Sequence, residues 1–345
     1  MKRAQAVRTL LPFLALLALG CAGGGGSQEN TVLPQAPVSV LVGGSVTRDD
    51  RTEALYWRDG TPVSLENEAG MHAGVSALAV SGTDVYAVGG HSGFPGSGAM
   101  WKNGALTEVR APLADLPSSV GLTGIAVSGA DVHIAGTVNG NSPYSLAVRW
   151  KNGEGTVLGG GAVLSWASGI ALKGADTFVA GWDGGAKYWK NTVAFGLGSA
   201  TGTGDVAAVA VTDAGEVLTA GYVLNLAGVQ VATLWRNGEP VALSDGVLPA
   251  SALALAVAGG DVYAAGYVVV GTTRVAATWK NGVQATLRAT SGRDSEATGI
   301  APYGRDVYVS GSDGGNAVLW KNGAETLLSD GRSQAWASSI CLVHR

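Results

Sequence analysis

The tetrapeptide WKNG stands at 101–104, 150–153, 279–282 and 320–323, with near copies WRDG at 57–60, WRNG at 235–238 and WKNT at 189–192. Successive Trp residues (57, 101, 150, 189, 235, 279, 320) lie 44, 49, 39, 46, 44 and 41 residues apart. A second motif keeps step with the first. SALAVSGTDVYAVG (76–89), TGIAVSGADVHIAG (123–136) and TGIAPYGRDVYVSG (298–311) are three of its six copies. A period of this length marks one supersecondary unit that cannot bury its apolar face alone and must stack on copies of itself.

Each unit reads as four short strands. Two apolar runs around a Gly/Asp turn form a hairpin. The run ending in Trp is a third strand, and the run after the turn, such as ETLLS at 325–329, is a fourth. We name these strands a, b, c and d. Four antiparallel strands repeated about a ring make an all-β propeller. The first unit lacks strand a: VSVLVGG (38–44) matches strand b. WASSICLV (336–343) matches strand a and follows the last complete unit. The C-terminal strand is therefore expected to complete the first blade and close a ring of seven blades. Closure removes exposed sheet edges, whereas a linear solenoid would need capping repeats instead of a split unit.

Asn-Gly at the centre of a two-residue hairpin loop suits a type I′ turn, with positive φ at both positions. Thr192 replaces the Gly in blade 4, so that turn is expected to differ. The Trp offers its surface to the neighbouring blade, and the Lys is expected to keep its ammonium in solvent. The a–b and c–d turns fall on one face and are uniform in length. From the Gly ending strand b to the Trp ending strand c, the spacing varies between 8 and 14 residues. Binding is assigned to this variable b–c/d–a face, because function normally sits on variable loops carried by a rigid scaffold.

The N-terminus carries different information. Lys2, Arg3 and Arg8 precede the apolar run LLPFLALLAL (10–19), which is too short to span a bilayer. Residues 1–20 read as a secretory signal. LALGC (17–21) resembles the lipobox of bacterial lipoproteins, in which the Cys is acylated and becomes the new N-terminus. The resemblance implies lipidation at Cys21 and a membrane anchor. Ala22 in place of Asp implies the outer membrane, facing the periplasm or the surface. Residues 21–37, rich in Gly, Ser and Pro, read as a flexible tether, and 38–345 as the propeller. Without residues 1–20 the chain has 19 Lys and Arg against 26 acidic residues, a net charge of −7. That balance gives no support for nucleic acid binding. Cys341 is the remaining cysteine, so no intramolecular disulfide is expected beside a lipidated Cys21. It reads as a small buried residue.

Three Trp residues are not anchors. Trp166 and Trp336 stand just before strand a, in LSWASGI and QAWASSI. Trp182 follows the Gly ending strand b, a place held by Tyr222 and Tyr267 in blades 5 and 6. These aromatics could stack on ring compounds or pack between blades. His91, in GGHSGFPGSG, and His72 read as exposed, and His133 as structural. Asp183 and Asp313 mark the shortest b–c hairpins. Arg293, Asp294, Glu296, Asp330 and Arg332 could contribute to a polar mouth. Trp166, Trp182, Trp336, Tyr222, Tyr267, His91 and Arg332 are the ligand-binding candidates. No catalytic residue, metal ligand or cofactor is assigned, since G-x-S-x-G and H-E-x-x-H are absent.

The pairing of SG-x-DVY-x-AG with A-x-x-WKNG resembles bacterial β-propeller repeat proteins over residues 38–343. Similarity to the regulator-of-chromosome-condensation repeats is limited to VAVTDAGEVLTAG (209–221), and kelch repeats share the Gly after strand b. Two functional readings follow. The first is a monomeric, noncatalytic envelope lipoprotein whose variable face binds a protein or glycan. The second is a carbohydrate-active hydrolase or lyase with carboxylates at the channel mouth.

Overall fold

The computed structural model describes residues 36–344 apart from 69, 94–96, 113–118, 141–144 and 161–163. The signal, Cys21 and residues 21–35 of the tether lie outside the described residues. Seven sheets of four antiparallel strands form a β-propeller. Blade 1 is ordered Gln334–His344, Val38–Arg48, Arg51–Arg58, Thr61–Ser64, so the C-terminal strand pairs along the first one and closes the ring. Strands a contact the strands a of both neighbouring blades and therefore surround the axis.

The apolar core is not inside the blades but between them. Tyr86 and Val88 of blade 2 pack with Leu122, Ile134, Val148 and Trp150 of blade 3. The same arrangement recurs at every seam, including the closing one, where Tyr308 and Leu328 of blade 7 meet Val40, Val42 and Trp57 of blade 1. All seven anchor Trp residues are fully buried. Each indole nitrogen of Trp101, Trp150, Trp235 and Trp320 donates to a carbonyl of the preceding blade: Glu66, Arg110, Gly198 and Arg288, at 2.7–2.8 Å. The anchor is thus both the filler of one seam and the tie that holds its d–a segment.

The turn after each anchor has the expected hand. Asn103, Asn152, Asn237, Asn281 and Asn322 have φ of 49–52°, and the following glycines 82–94°. In blade 4 Asn191 is left-handed (φ 58°) and Thr192 is not, because a β-branched residue resists positive φ.

The Lys does not simply point to solvent. Lys102, Lys151, Lys190, Lys280 and Lys321 pair with Asp84, Asp131, Asp176, Asp261 and Asp306 at 2.7–2.9 Å. Arg236 pairs with Glu216 at 2.8 Å in blade 5. The turn Asn completes a clamp. In blade 6 its Oδ1 accepts from the Val262 amide at 2.8 Å and its Nδ2 donates to Asp261 at 2.7 Å. The two sequence motifs are therefore one device: in blades 2 to 7 the c–d turn locks the a–b turn. Blade 1 has no a–b turn. There Asp59 replaces the Asn and accepts from Val40 N at 2.8 Å and Ser39 Oγ at 3.0 Å.

The variable face is less irregular than spacing suggests. In blade 1 the extra residues prolong the b–c hairpin to a tight turn at Asp49 and Asp50 (φ 47° and 61°). In blade 6 strands Asp261–Val270 and Thr273–Lys280 likewise extend to a two-residue turn. Pairing the extra backbone satisfies its amides and carbonyls without an open loop.

Candidate functional site

Every strand a carries a β-bulge near its loop-face end. The bulge presses the carbonyl before it against the Gly that ends strand b. A Cβ at Gly44, Gly89, Gly136, Gly181, Gly221, Gly266 or Gly311 would collide with that oxygen. At Gly44, Gly181 and Gly311 it would also meet the anchor indole, at 2.8–2.9 Å. This is why each blade places Gly there. Bulges re-aim side chains, and the two residues that flank this contact are carried to the mouth of the ring.

One of them lies on strand a, two places before the bulge residue. In blades 2 and 3 it is Gly74 and Gly121, but blades 4, 5, 6, 7 and 1 present Trp166, Asp205, Ser251, Glu296 and Trp336. Its partner on strand b is Trp182, Tyr222, Tyr267, Ser312 and Ser45 in the same order. On strand a one side of the mouth is bare, although Thr137 stands opposite Gly121 in blade 3, and the other side carries aromatic rings, hydroxyls and two carboxyls.

Two cavities open on the second side. The first, about 320 Å³, draws Thr123 and Thr137 from blade 3, Trp166 from blade 4, Asp205 and Tyr222 from blade 5, and Ser251 from blade 6. Trp166 and Trp182 stack with centroids 4.6 Å apart and planes within 6°. Trp166 Nε1 donates to Asp205 Oδ1 at 3.3 Å, and the Val206 amide donates to the same oxygen at 2.8 Å. Burial pushes the Asp205 carboxyl above the usual carboxylate range, with these two donors opposing it.

The second cavity, about 380 Å³, is lined by Arg274, Arg293, Asp294, Glu296, Ser312 and Trp336, among others. Burial pushes Glu296 up as well, but here Arg274 opposes it across 3.5 Å. Arg274 also lies over the Tyr267 ring, 4.6 Å from its centroid, and its amide donates to Asp294 at 2.9 Å. A guanidinium held by a carboxylate and an aromatic face is fixed in place.

The candidates from sequence are distributed unevenly. Trp166 and Tyr222 line the first cavity, and Trp336, 46% exposed, lines the second. Trp182 stands behind Trp166 as its stacking partner. Tyr267 is buried beneath Arg274, and its hydroxyl donates to Gln230 at 3.1 Å. His91 was expected in solvent but is buried, its Nδ1 accepting from the Gly93 amide at 3.0 Å. Arg332 is exposed and lines neither cavity; its amide and that of Ser333 close a turn on Asp330. Asp313 does more than shape its own hairpin. It is buried and accepts from the Thr290 and Ser291 amides at 2.8 Å and from the Ser291 hydroxyl, which pins the preceding d–a segment. Cys341 is half-buried; Sγ donates to Leu78 O at 3.2 Å, and burial pushes the thiol up to about 12.

Asp205, Ser251 and Thr137 escape motif reading. Their signal is register: GDVAAV laid on SWASGI puts Asp205 where Trp166 stands. Among the described residues no group of three or more His, Cys, Asp or Glu could hold a metal ion.

No protein-family model matches the chain, and no curated protein matches it in sequence. Among solved structures, the WD40 β-propeller domain of Doa1 is similar over 83% of this chain and 86% of its own, at 15% identity and a TM-score of 0.47. AofleA from Arthrobotrys oligospora is similar over 77% and 87%, at 13% identity and a TM-score of 0.45. The functional reading therefore rests on the site itself.

Proposed function

We propose that this protein is a noncatalytic binding lipoprotein of the cell envelope, which takes a protein or glycan ligand on its b–c/d–a face. One observation carries the reading. The bulged inner strands aim aromatic and hydroxyl side chains from four adjacent blades into one cavity at the ring mouth. A concave site with few convergent polar groups suits recognition. The carboxyls at the mouth are divided between two cavities, Asp205 in one and Asp294 with Glu296 in the other. The first cavity thus holds a single carboxyl among the described residues, where a glycosidase sets an acid and a base on either side of a bond.

The lipid anchor rests on LALGC and on the Gly-rich stretch that follows it. Acylation of Cys21 would tether the ring to a membrane, the outer membrane in this reading, as a monomer.

The test has two parts. Cells expressing the full chain are labelled with an alkyne fatty acid; wild type takes up label and Cys21→Ser does not. Labelling of both alike removes the anchor. Intact protein is then compared in pull-downs with a version whose blade 4–6 loop-face segments are replaced by those of blade 2. Unchanged partners would show that binding lies elsewhere.

A further inference from the structure

Asp205 differs from the other acids of this ring. Five turn carboxylates on the opposite face each sit against a Lys of their own blade. Glu296, at the same register as Asp205 two blades on, sits against Arg274. Among the described residues no Lys, Arg or His lines the cavity that holds Asp205. Both donors to Asp205 go to Oδ1. Oδ2 accepts no hydrogen bond from the described residues. The hydroxyls of Thr137, Tyr222 and Ser251, which line the same cavity, also make none among the described residues.

Asp205 is half-buried, and a partly desolvated carboxyl without a cation is better satisfied once a ligand supplies one. These unused hydroxyls around it are placed to bond a ligand rich in donors and acceptors. Trp166 supplies the remaining wall. Trp182 covers one of its faces, and the bond from Nε1 to Asp205 fixes its edge, so the ring is held before any ligand binds.

We propose that this cavity binds a sugar residue bearing a free amino group: the ammonium meets Asp205 Oδ2, the apolar ring face lies on Trp166, and ring hydroxyls bond Thr137, Tyr222 and Ser251. The cavity, about 320 Å³, has the size of a small-ligand site. Each part of the ligand answers one feature. An acidic sugar would oppose Asp205 with no cation to offset it. A neutral sugar would leave the carboxylate without a countercharge. A bare alkylammonium would leave the hydroxyls unused. The inference rests on the loop-face binding reading and makes it specific for a glycan.

Titration calorimetry of the full-length protein in detergent tests it, with glucosamine and its β-1,4-linked oligomers as probes. N-acetylglucosamine, glucose, glucuronate and ethanolamine serve as comparisons. Glucosamine binds at least tenfold more tightly than each of these. Asp205→Asn, with an unchanged circular dichroism spectrum, loses that preference, and Asp205→Glu recovers part of it. Trp166→Ala weakens binding of every sugar; Trp336→Ala changes nothing. Affinity falls on acidification as Asp205 takes up a proton. Asp205 and Tyr222 are the titratable groups among the described residues lining the cavity.

Equal binding of glucose or N-acetylglucosamine, or an Asp205→Asn protein that keeps its preference, overturns the amino-group assignment and leaves glycan binding standing. Equal binding of ethanolamine overturns the sugar part. Loss on Trp336→Ala in place of Trp166→Ala moves the site to the other cavity. If no sugar binds while the loop-swap pull-down still loses its partners, this inference fails and the broader reading survives.

Discussion

The two faces of the ring handle carboxylates in opposite ways. On the turn face, Asp131, Asp176, Asp261 and Asp306 are held below the usual carboxylate range by the facing Lys and then by the turn Asn. At Asp84 the Asn103 amide is the larger influence and Lys102 the next. On the loop face, burial raises Asp205 and Glu296. Turn-face acids favour folding when charged, and mouth acids oppose it. A group that opposes folding in its charged form is retained at a cost in stability, which is what a ligand site requires. The difference separates scaffold from site without reference to any relative.

The largest contrast is between two residues of one type. Trp150→Ala removes a fully buried seam anchor and its bond to Arg110 O. It is expected to cost about 3–5 kcal/mol. Trp336→Ala removes a half-exposed mouth ring and is expected to change stability by under about 0.5 kcal/mol. Urea unfolding of both variants measures this, and equal losses would erase the division between scaffold and mouth.

Gly266→Ala comes next. The added methyl would collide with Ser251 O where the bulge crosses strand b. The loss is expected to be about 1–3 kcal/mol, as in other overpacked sites. A neutral result would mean that the bulge can relax and does not position the mouth side chains.

Asn281→Ala breaks one clamp, removing two hydrogen bonds and a residue that tolerates positive φ. About 1–2 kcal/mol is expected. Asn191→Ala in blade 4 tests whether the turn with Thr192 relies on its clamp to the same degree.

The smallest effect has the most distinctive sign. Asp205→Asn is expected to raise the thermal midpoint at pH 7. Because the folded value is raised, charging Asp205 removes stability as pH climbs from the unfolded value, roughly 3.9, through the folded one. The advantage of the Asn variant should therefore vanish below roughly pH 4. Asp261→Asn should behave inversely. Its contribution is present above the ordinary carboxylate value and is lost as pH falls through the lowered folded value, with salt weakening it. Parallel pH profiles for the two variants would remove the contrast between the faces.

Blade number, strand order and ring closure were legible because repetition writes them seven times. WKNG and DVY could be counted, and a missing strand at one end matched an extra strand at the other. The clamp joining the two motifs was written as often but is not legible as a contact. Lys102 and Asp84 are 18 residues apart, and only the antiparallel pairing of strands b and c brings them within 2.9 Å. The mouth is harder to read because it is not repeated. Trp166, Asp205, Ser251, Glu296 and Trp336 hold one register position with unlike chemistry, so no motif joins them.

The chain by itself thus determined its scaffold, since hydrophobic period, turn residues and spacing are local properties that each repeat states again. Tertiary structure decided which acids have a countercharge. That depends on strand pairing within a blade for the turn-face acids and on which side chains of neighbouring blades meet at the mouth for the others. Asp205 and Asp131 are each one Asp in a Val- and Ala-rich strand. Pairing of strands b and c within a blade places Asp131 beside Lys151, whereas the meeting of blades around the ring places Asp205 beside an indole and idle hydroxyls, with no cation among the described lining residues.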